Sequence, residues 1–316
     1  MKSDFDFSIS ASSPYTSNLD ETSGLTEQSQ VFEAETSLGT EEIHVVQQGH
    51  GAEHFLIWHG FDSVNRFYPW KYLLQYGRVT RIGLPGHGPV AQRGWSHCKH
   101  WSQAHFVETG LSISRKLYDG KPLTLIGHST GALVALGVAI HAPEMIARAV
   151  LISPLIWSPK SKLIQLLVGS KLWPILGRLT IGKGLLKKQS SVEFYFNEID
   201  KIVHDHQSVY ANPNIRTDLL AGHADYQRTS MNAHLGAARA AVTGDYRPAV
   251  RNAACKVPTL IVHGNDDPVA PARQSEWLVQ NMINAQLIQR RGIGHIAYVE
   301  KEQEFIVALT TWLDNH

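Results

Sequence analysis

The chain has 316 residues, 43% of them hydrophobic, which is enough to bury a substantial core, and no run is long or apolar enough to cross a bilayer. A formal net charge of +1 excludes a global field favouring nucleic acid, and the two cysteines, Cys98 and Cys255, show neither metal-type spacing nor a disulfide framework. No apolar leader segment follows Lys2, so a soluble cytoplasmic protein is expected.

Residues 1–30 hold eleven Ser or Thr and almost no apolar periodicity, a composition that cannot bury enough surface to order itself. They are expected to form a flexible N-terminal extension. Residues 31–36 and 42–46 alternate in polarity and predict an antiparallel pair joined through Leu38, Gly39 and Thr40. Residues 55–58 form an apolar run that ends in His59, Gly60 and Phe61, and residues 78–82 (Arg-Val-Thr-Arg-Ile) are followed by Gly83-Leu84-Pro85-Gly86-His87-Gly88. The apolar run 123–126 leads into Gly127-His128-Ser129-Thr130-Gly131 and then the small-residue stretch 132–139, the order strand, sharp turn, helix. In that context a G-x-S-x-G pattern reads as a nucleophile elbow, in which glycine permits the close approach of helix to strand. Residues 149–153 give a further strand.

Between Pro154 and Val257 lie roughly one hundred residues that read as helices rather than strands. Leu163, Ile164, Leu166 and Leu167 recur at helical spacing, as do Leu172, Ile175, Leu176 and Leu179, with breaks expected at Pro174, Gly182 and Pro213. The Ala-rich run 231–242 predicts a helix returning to the core. No Asp or Glu occurs between Glu144 and Glu193, whereas Lys160, Lys162, Lys171, Arg178, Lys183, Lys187 and Lys188 do, interleaved with Trp157 and Trp173. Such a stretch either touches a lipid surface or turns its apolar face inward over a pocket, the commoner arrangement in soluble proteins. After it come the strand 257–263, a loop carrying Asp266 and Asp267, the strand 285–289 and a Gly-bounded loop ending at His295. A serine hydroxyl needs a base and a group to orient that base; His295 and the acid loop offer both.

Taken together, the H-G turn, the P-G-H-G loop, the elbow, the acid loop and the His loop resemble the α/β-hydrolase family, in its landmark order and over most of the chain. The resemblance implies an α/β-hydrolase fold, a mostly parallel central sheet with helices on both faces and an inserted helical cap. The core would comprise 31–154 and 251–316, and the cap 155–250. It implies Ser129 as nucleophile, His295 as base and Asp267, three residues after the loop glycine Gly264, as the acid; Ile152-Ser153-Pro154, where some members place the acid, has no carboxylate. Asp266 is expected to cap a turn of its own backbone. The backbone N–H groups of Phe61 and Thr130 would form the oxyanion hole, and Gly127, His128 and Gly131 the elbow. Gly83 departs from the family, whose members commonly carry Asp there. His59, His87 and His128 are read as loop-shaping, and His204 and His206 as surface residues, with no metal and no cofactor expected.

A Ser nucleophile points to acyl transfer to water. A carboxylic ester with an apolar acyl or alcohol part is the expected substrate. A thioesterase or C–C bond hydrolase with the same residues, and a non-catalytic ligand-binding relative, are the alternatives. No nucleic-acid partner is expected, weak membrane-surface contact through the basic cap is left open, and the sequence is silent on oligomeric state.

Overall fold

The computed structural model describes residues 26–61, 63–64, 70–211 and 213–316. Most of the predicted N-terminal extension therefore lies outside the described residues, but its last five do not. Strand β1 (Gln28–Thr36) begins inside the predicted extension and pairs antiparallel with β2 (Gly39–Gln48) through Gln28 opposite Gln47. Composition gives no hint of this start; Gln30 Nε2 donates to Gln47 Oε1 at 2.7 Å, so polar side chains pair across an exposed edge.

Eight strands form one sheet in the order β1-β2-β4-β3-β5-β6-β7-β8, with β3 (Glu53–Trp58), β4 (Gly77–Ile82), β5 (Leu123–His128), β6 (Ile146–Ile152), β7 (Thr259–Gly264) and β8 (Ala285–Arg290) all parallel. The apolar runs of β3, β5, β6 and β7 follow from burial on both faces, whereas the edge strand β8 has no fully buried residue. Leu56, Trp58, Leu125, Leu151 and Ile261 face one buried cluster; Phe55, Ile57, Ile126, Val150 and Leu260 face the other, as the two-residue period of a strand requires. The first cluster is closed by α1 (Trp95–Cys98), α2 (Gln103–Leu117) and α3 (Thr130–His141), and the second by α13 (Ala297–Glu300) and α14 (Glu302–Asp314). This is the α/β-hydrolase fold.

Between β6 and β7 run α4 (Lys162–Gly169), α5 (Trp173–Gly177), α6 (Lys183–Ser190), α7 (Val192–Asp200), α8 (His206–Ala211), α9 (Pro213–Tyr226), α10 (Met231–Thr243) and α11 (Arg247–Ala253); α12 (Arg273–Asn281) follows β7. The expected break at Gly182 does not occur: a π turn over Arg178–Gly182 joins α5 to α6, and Gly182 keeps helical dihedrals. Pro174 lies in the first turn of α5, where its missing N–H has no intrahelical bond to lose. Helices α10 and α11 join the core, since Ala233, Ala237, Ala240 and Val250 belong to the cluster under β3 and β5; α11 runs across the predicted boundary at 250.

Candidate active site

The elbow is built by close approach. A Cβ on Gly127 would stand 2.2 Å from Gly131 O, and one on Gly131 only 2.3 Å from Trp58 O, so the first turn of α3 lies directly against the end of β3. Ser129 takes φ 55°, a left-handed conformation rare for a residue with a side chain. Its N–H donates to Ile152 O at 2.9 Å, fixing the turn to β6. A Cβ on Gly60 would stand 3.0 Å from Ser129 Cβ and 3.1 Å from His128 Nδ1, so the His59-Gly60 turn adjoins Ser129. Among the described residues no acceptor takes up the N–H of Phe61 or of Thr130, the two expected oxyanion donors.

His59 holds that turn. Its Nδ1–H donates to Gly60 O at 2.7 Å and its Nε2 accepts from Leu84 N at 2.9 Å, joining this turn to the loop after β4. Burial, reinforced by the nearby His87 ring, keeps the His59 imidazole far below its ordinary pKa, so the ring stays neutral and can do both. His128 acts alike: buried and neutral, it donates from Nε2 to His295 O at 2.9 Å and lies 4.6 Å, ring to ring, from His295. The elbow and the His loop are thus tied side by side.

Asp267, the acid the resemblance implies, lies against His295. His295 Nδ1 lies 2.7 Å from Asp267 Oδ2, and a carboxylate can only accept, so Nδ1 carries the proton and Nε2 is left basic. Asp267 Oδ1 accepts from the N–H groups of Val269 and Ala270 at 2.8 and 2.9 Å. Burial would raise its pKa, but His295, the hydrogen bonds from His263 and His295 and the Ala270 N–H outweigh it and hold the carboxyl far below the usual range. No hydrogen bond joins Ser129 Oγ to His295 among the described residues; such bonds are often long before substrate binds and shorten in the complex. Asp266 points elsewhere, accepting from Gly292 N at 2.6 Å: it caps the loop before His295 and not its own turn.

Two residues outside the sequence reading complete the site. His263 Nε2 lies 2.9 Å from Ala270 O and 3.3 Å from Asp267 Oδ2, while its Nδ1 accepts from the Ser275 hydroxyl at 2.6 Å. Glu300, 1% exposed, accepts from Gly294 N at 3.0 Å and from His204 N at 2.7 Å. It fastens the His loop to the segment between α7 and α8, where Ile202 O also accepts from His295 N at 2.8 Å. His206 is exposed and 3.4 Å from Asp200, with no further ligand; among the described residues no group of His, Cys, Asp and Glu is placed to hold a metal ion.

The insertion packs around the ends of the strands that carry these groups. Gly88 N donates to Thr229 Oγ1 at 2.9 Å, and Phe61 packs against the cluster formed by Val168, Trp173 and Leu235. Its inward face comprises Val168, Trp173, Gly177 and Leu185, whereas Leu163, Leu166, Leu167, Leu172, Ile175 and Leu179 are exposed. The expectation that these periodic leucines turn inward is not met.

Comparison with known proteins agrees with the fold. The profile of the family described as serine aminopeptidase, S33, matches residues 72–302. The (E)-2-((N-methylformamido)methylene)succinate hydrolase of Acinetobacter baylyi is 22% identical over 278 residues, covering 86% of this chain and 94% of that protein. The pimeloyl-[acyl-carrier protein] methyl ester esterase of Aromatoleum aromaticum is 27% identical over 250 residues, covering 73% and 86%. Among solved structures, an esterase from Exiguobacterium antarcticum superposes with a TM-score of 0.69 at 17% identity over 90% of this chain and all of that one.

Proposed function

The chain belongs to the serine aminopeptidase S33 family of α/β-hydrolases, and from that premise we propose that it is a serine hydrolase cleaving a carboxylic ester with an apolar acyl or alcohol part. His295 Nε2 takes the Ser129 proton as Oγ attacks the acyl carbon, and the N–H groups of Phe61 and Thr130 receive the oxyanion. Collapse of the tetrahedral intermediate expels the alcohol, protonated by His295; water then repeats the sequence on the acyl-enzyme. Asp267 holds the imidazole with Nδ1 protonated and stabilises the imidazolium.

The observation that carries this reading is the buried 2.7 Å pair of His295 and Asp267, bound to the elbow through His128. The ester preference rests on the apolar insertion beside the site and on the named ester chemistry of the Aromatoleum aromaticum relative. The test is labelling by a fluorophosphonate probe, with Ser129→Ala as control, followed by turnover of p-nitrophenyl esters of increasing acyl length. Acyl thioesters and aminoacyl p-nitroanilides belong in the same panel, the latter because of the family's description. Labelling of the wild type alone, with a preference for longer acyl esters, is expected. An unlabelled Ser129 would leave a ligand-binding protein, and faster thioester or anilide turnover would replace the ester.

A further inference from the structure

We propose that α4, α5, the π turn and α6 form a docking face for a bilayer containing anionic lipid. These helices already have an inward face: Val168 and Trp173 pack on α10, and Trp173 Nε1 donates to Leu235 O at 2.9 Å. A Cβ on Gly177 would meet Leu235 Cδ2 at 2.5 Å, so α5 sits as close to α10 as it can. The opposite side is left with large aliphatic side chains in solvent: Leu163 is 67% exposed, Leu166 72%, Leu172 60%, Ile175 60% and Leu179 66%. Singly exposed aliphatic side chains are ordinary on a protein surface, but five within the short stretch from α4 to the π turn are not.

Charge selects the occupant. Lys160, Lys162, Lys171, Arg178, Lys183 and Lys187 are exposed on the same segment, and residues 160–190 contain no Asp or Glu. Lys188, counted with them in the sequence, is instead buried, its ammonium 4.7 Å over the Tyr226 ring. A second copy meeting this face about a two-fold axis would set the same cations against one another. An anionic bilayer neutralises them, and long lysine side chains can lay their stems along the apolar surface while their ammonium groups reach lipid phosphates. A flat lipid surface also needs no shaped groove, and these helices present leucine tips. Since Phe61 packs against the cluster that anchors α4 and α5, the docked face adjoins the proposed oxyanion turn. An apolar substrate would then reach Ser129 from the membrane side, a consequence that rests on the function proposed above; the docking itself does not.

The test is co-sedimentation with phosphatidylcholine vesicles, with and without phosphatidylglycerol, at low and high salt, run in parallel on the wild type and Ser129→Ala so that loss of hydrolysis and loss of binding are read separately. Both proteins are expected to bind only the phosphatidylglycerol vesicles, and salt is expected to release them. Replacing Leu163, Leu166, Leu172 and Leu179 by Asn is expected to weaken partitioning at least about a hundredfold. Lys160→Gln, Lys162→Gln, Lys171→Gln and Lys183→Gln are expected to weaken it roughly fivefold each. Neither set should alter turnover of a water-soluble ester. No binding of the wild type at low salt, or equal binding by the leucine variant, overturns the proposal. So does gel filtration showing a wild-type dimer that the leucine substitutions convert to a monomer, since the face would then belong to a second copy.

Discussion

Substituting Gly131 by Ala adds one methyl group at the tightest point of the elbow. The new Cβ would lie 2.3 Å from Trp58 O and 2.5 Å from His59 O, both backbone atoms, whereas ordinary contact begins near 3.4 Å. The required displacement is therefore about 1 Å. Strand β3 cannot supply it, because it is hydrogen-bonded on both sides by β4 and β5. The first turn of α3 must move instead, carrying Ser129 and the Thr130 N–H away from the His59-Gly60 turn. A misplacement of about 1 Å at reacting groups lowers kcat roughly a hundredfold, and overpacking of this kind destabilises by about 1–3 kcal/mol. Turnover of a water-soluble ester and thermal unfolding measure the two effects. Gly184→Ala serves as control: the position is helical and exposed, nothing lies within 4 Å of its Cβ, and Ala is favoured there by about 1 kcal/mol. That variant is expected to keep wild-type kcat with an equal or slightly raised Tm. Wild-type kcat and Tm in Gly131→Ala would refute the close-approach argument, and a raised KM with unchanged kcat would show that the methyl obstructs substrate and leaves the donors in place.

Glu300→Gln puts an amide donor against the N–H groups of Gly294 and His204; stability should fall by about 1.5–3 kcal/mol in urea titrations and kcat by roughly ten- to a hundredfold as the His loop loosens, and a variant that loses neither would show the loop is held elsewhere. His54 is lowered to about 4 chiefly by burial, with Arg78 adding to it. Its folded pKa lies below the unfolded value of 6.5, so the unfolded chain takes up the proton first and stability is lost as pH falls from about 6.5 towards 4, by about 2 kcal/mol between pH 7 and pH 5. Urea midpoints of His54→Gln should decline less over that interval by about this amount; equal declines would mean that His54 titrates normally. Cys98 is pushed up to about 12, mainly by burial, and Cys255 is raised for the same reason. Neither thiol should react with a disulfide reagent in the native protein and both should in urea, while rapid native labelling would contradict their burial.

The parts of the site that lie at strand ends were legible in the sequence because each combines a buried apolar run with a glycine that the geometry demands. Gly127 and Gly131 are the clearest case, since the backbone contacts that exclude a Cβ also place Ser129. Glu300 and His263 were not legible. Glu300 stands only five residues after His295, but the N–H of His204 comes from 96 residues away, and no local pattern announces a carboxylate shared between two loops. His263 reads as the polar end of an apolar strand until Asp267 and Ser275 fold back on it. The start of strand β1 escaped for a related reason: Gln28, Ser29 and Gln30 have no apolar alternation, and only pairing with β2 makes them a strand.

The orientation of α4 to α6 shows what periodicity can and cannot decide. A 3.6-residue period shows that Leu163, Leu166 and Leu167 share a stripe, but not whether the stripe meets protein or solvent. The deciding residues are the ones that break the stripe: Val168, Trp173 and Gly177, where a β-branched side chain, an indole with a hydrogen bond to satisfy and a missing Cβ fit against α10. Once those are assigned inward, the leucines have only the outside, and the absence of acidic residues among them acquires a physical meaning it lacked in the sequence. An apolar stripe facing water would be expected to carry mixed charge for solubility; one bearing only cations is suited to an anionic surface.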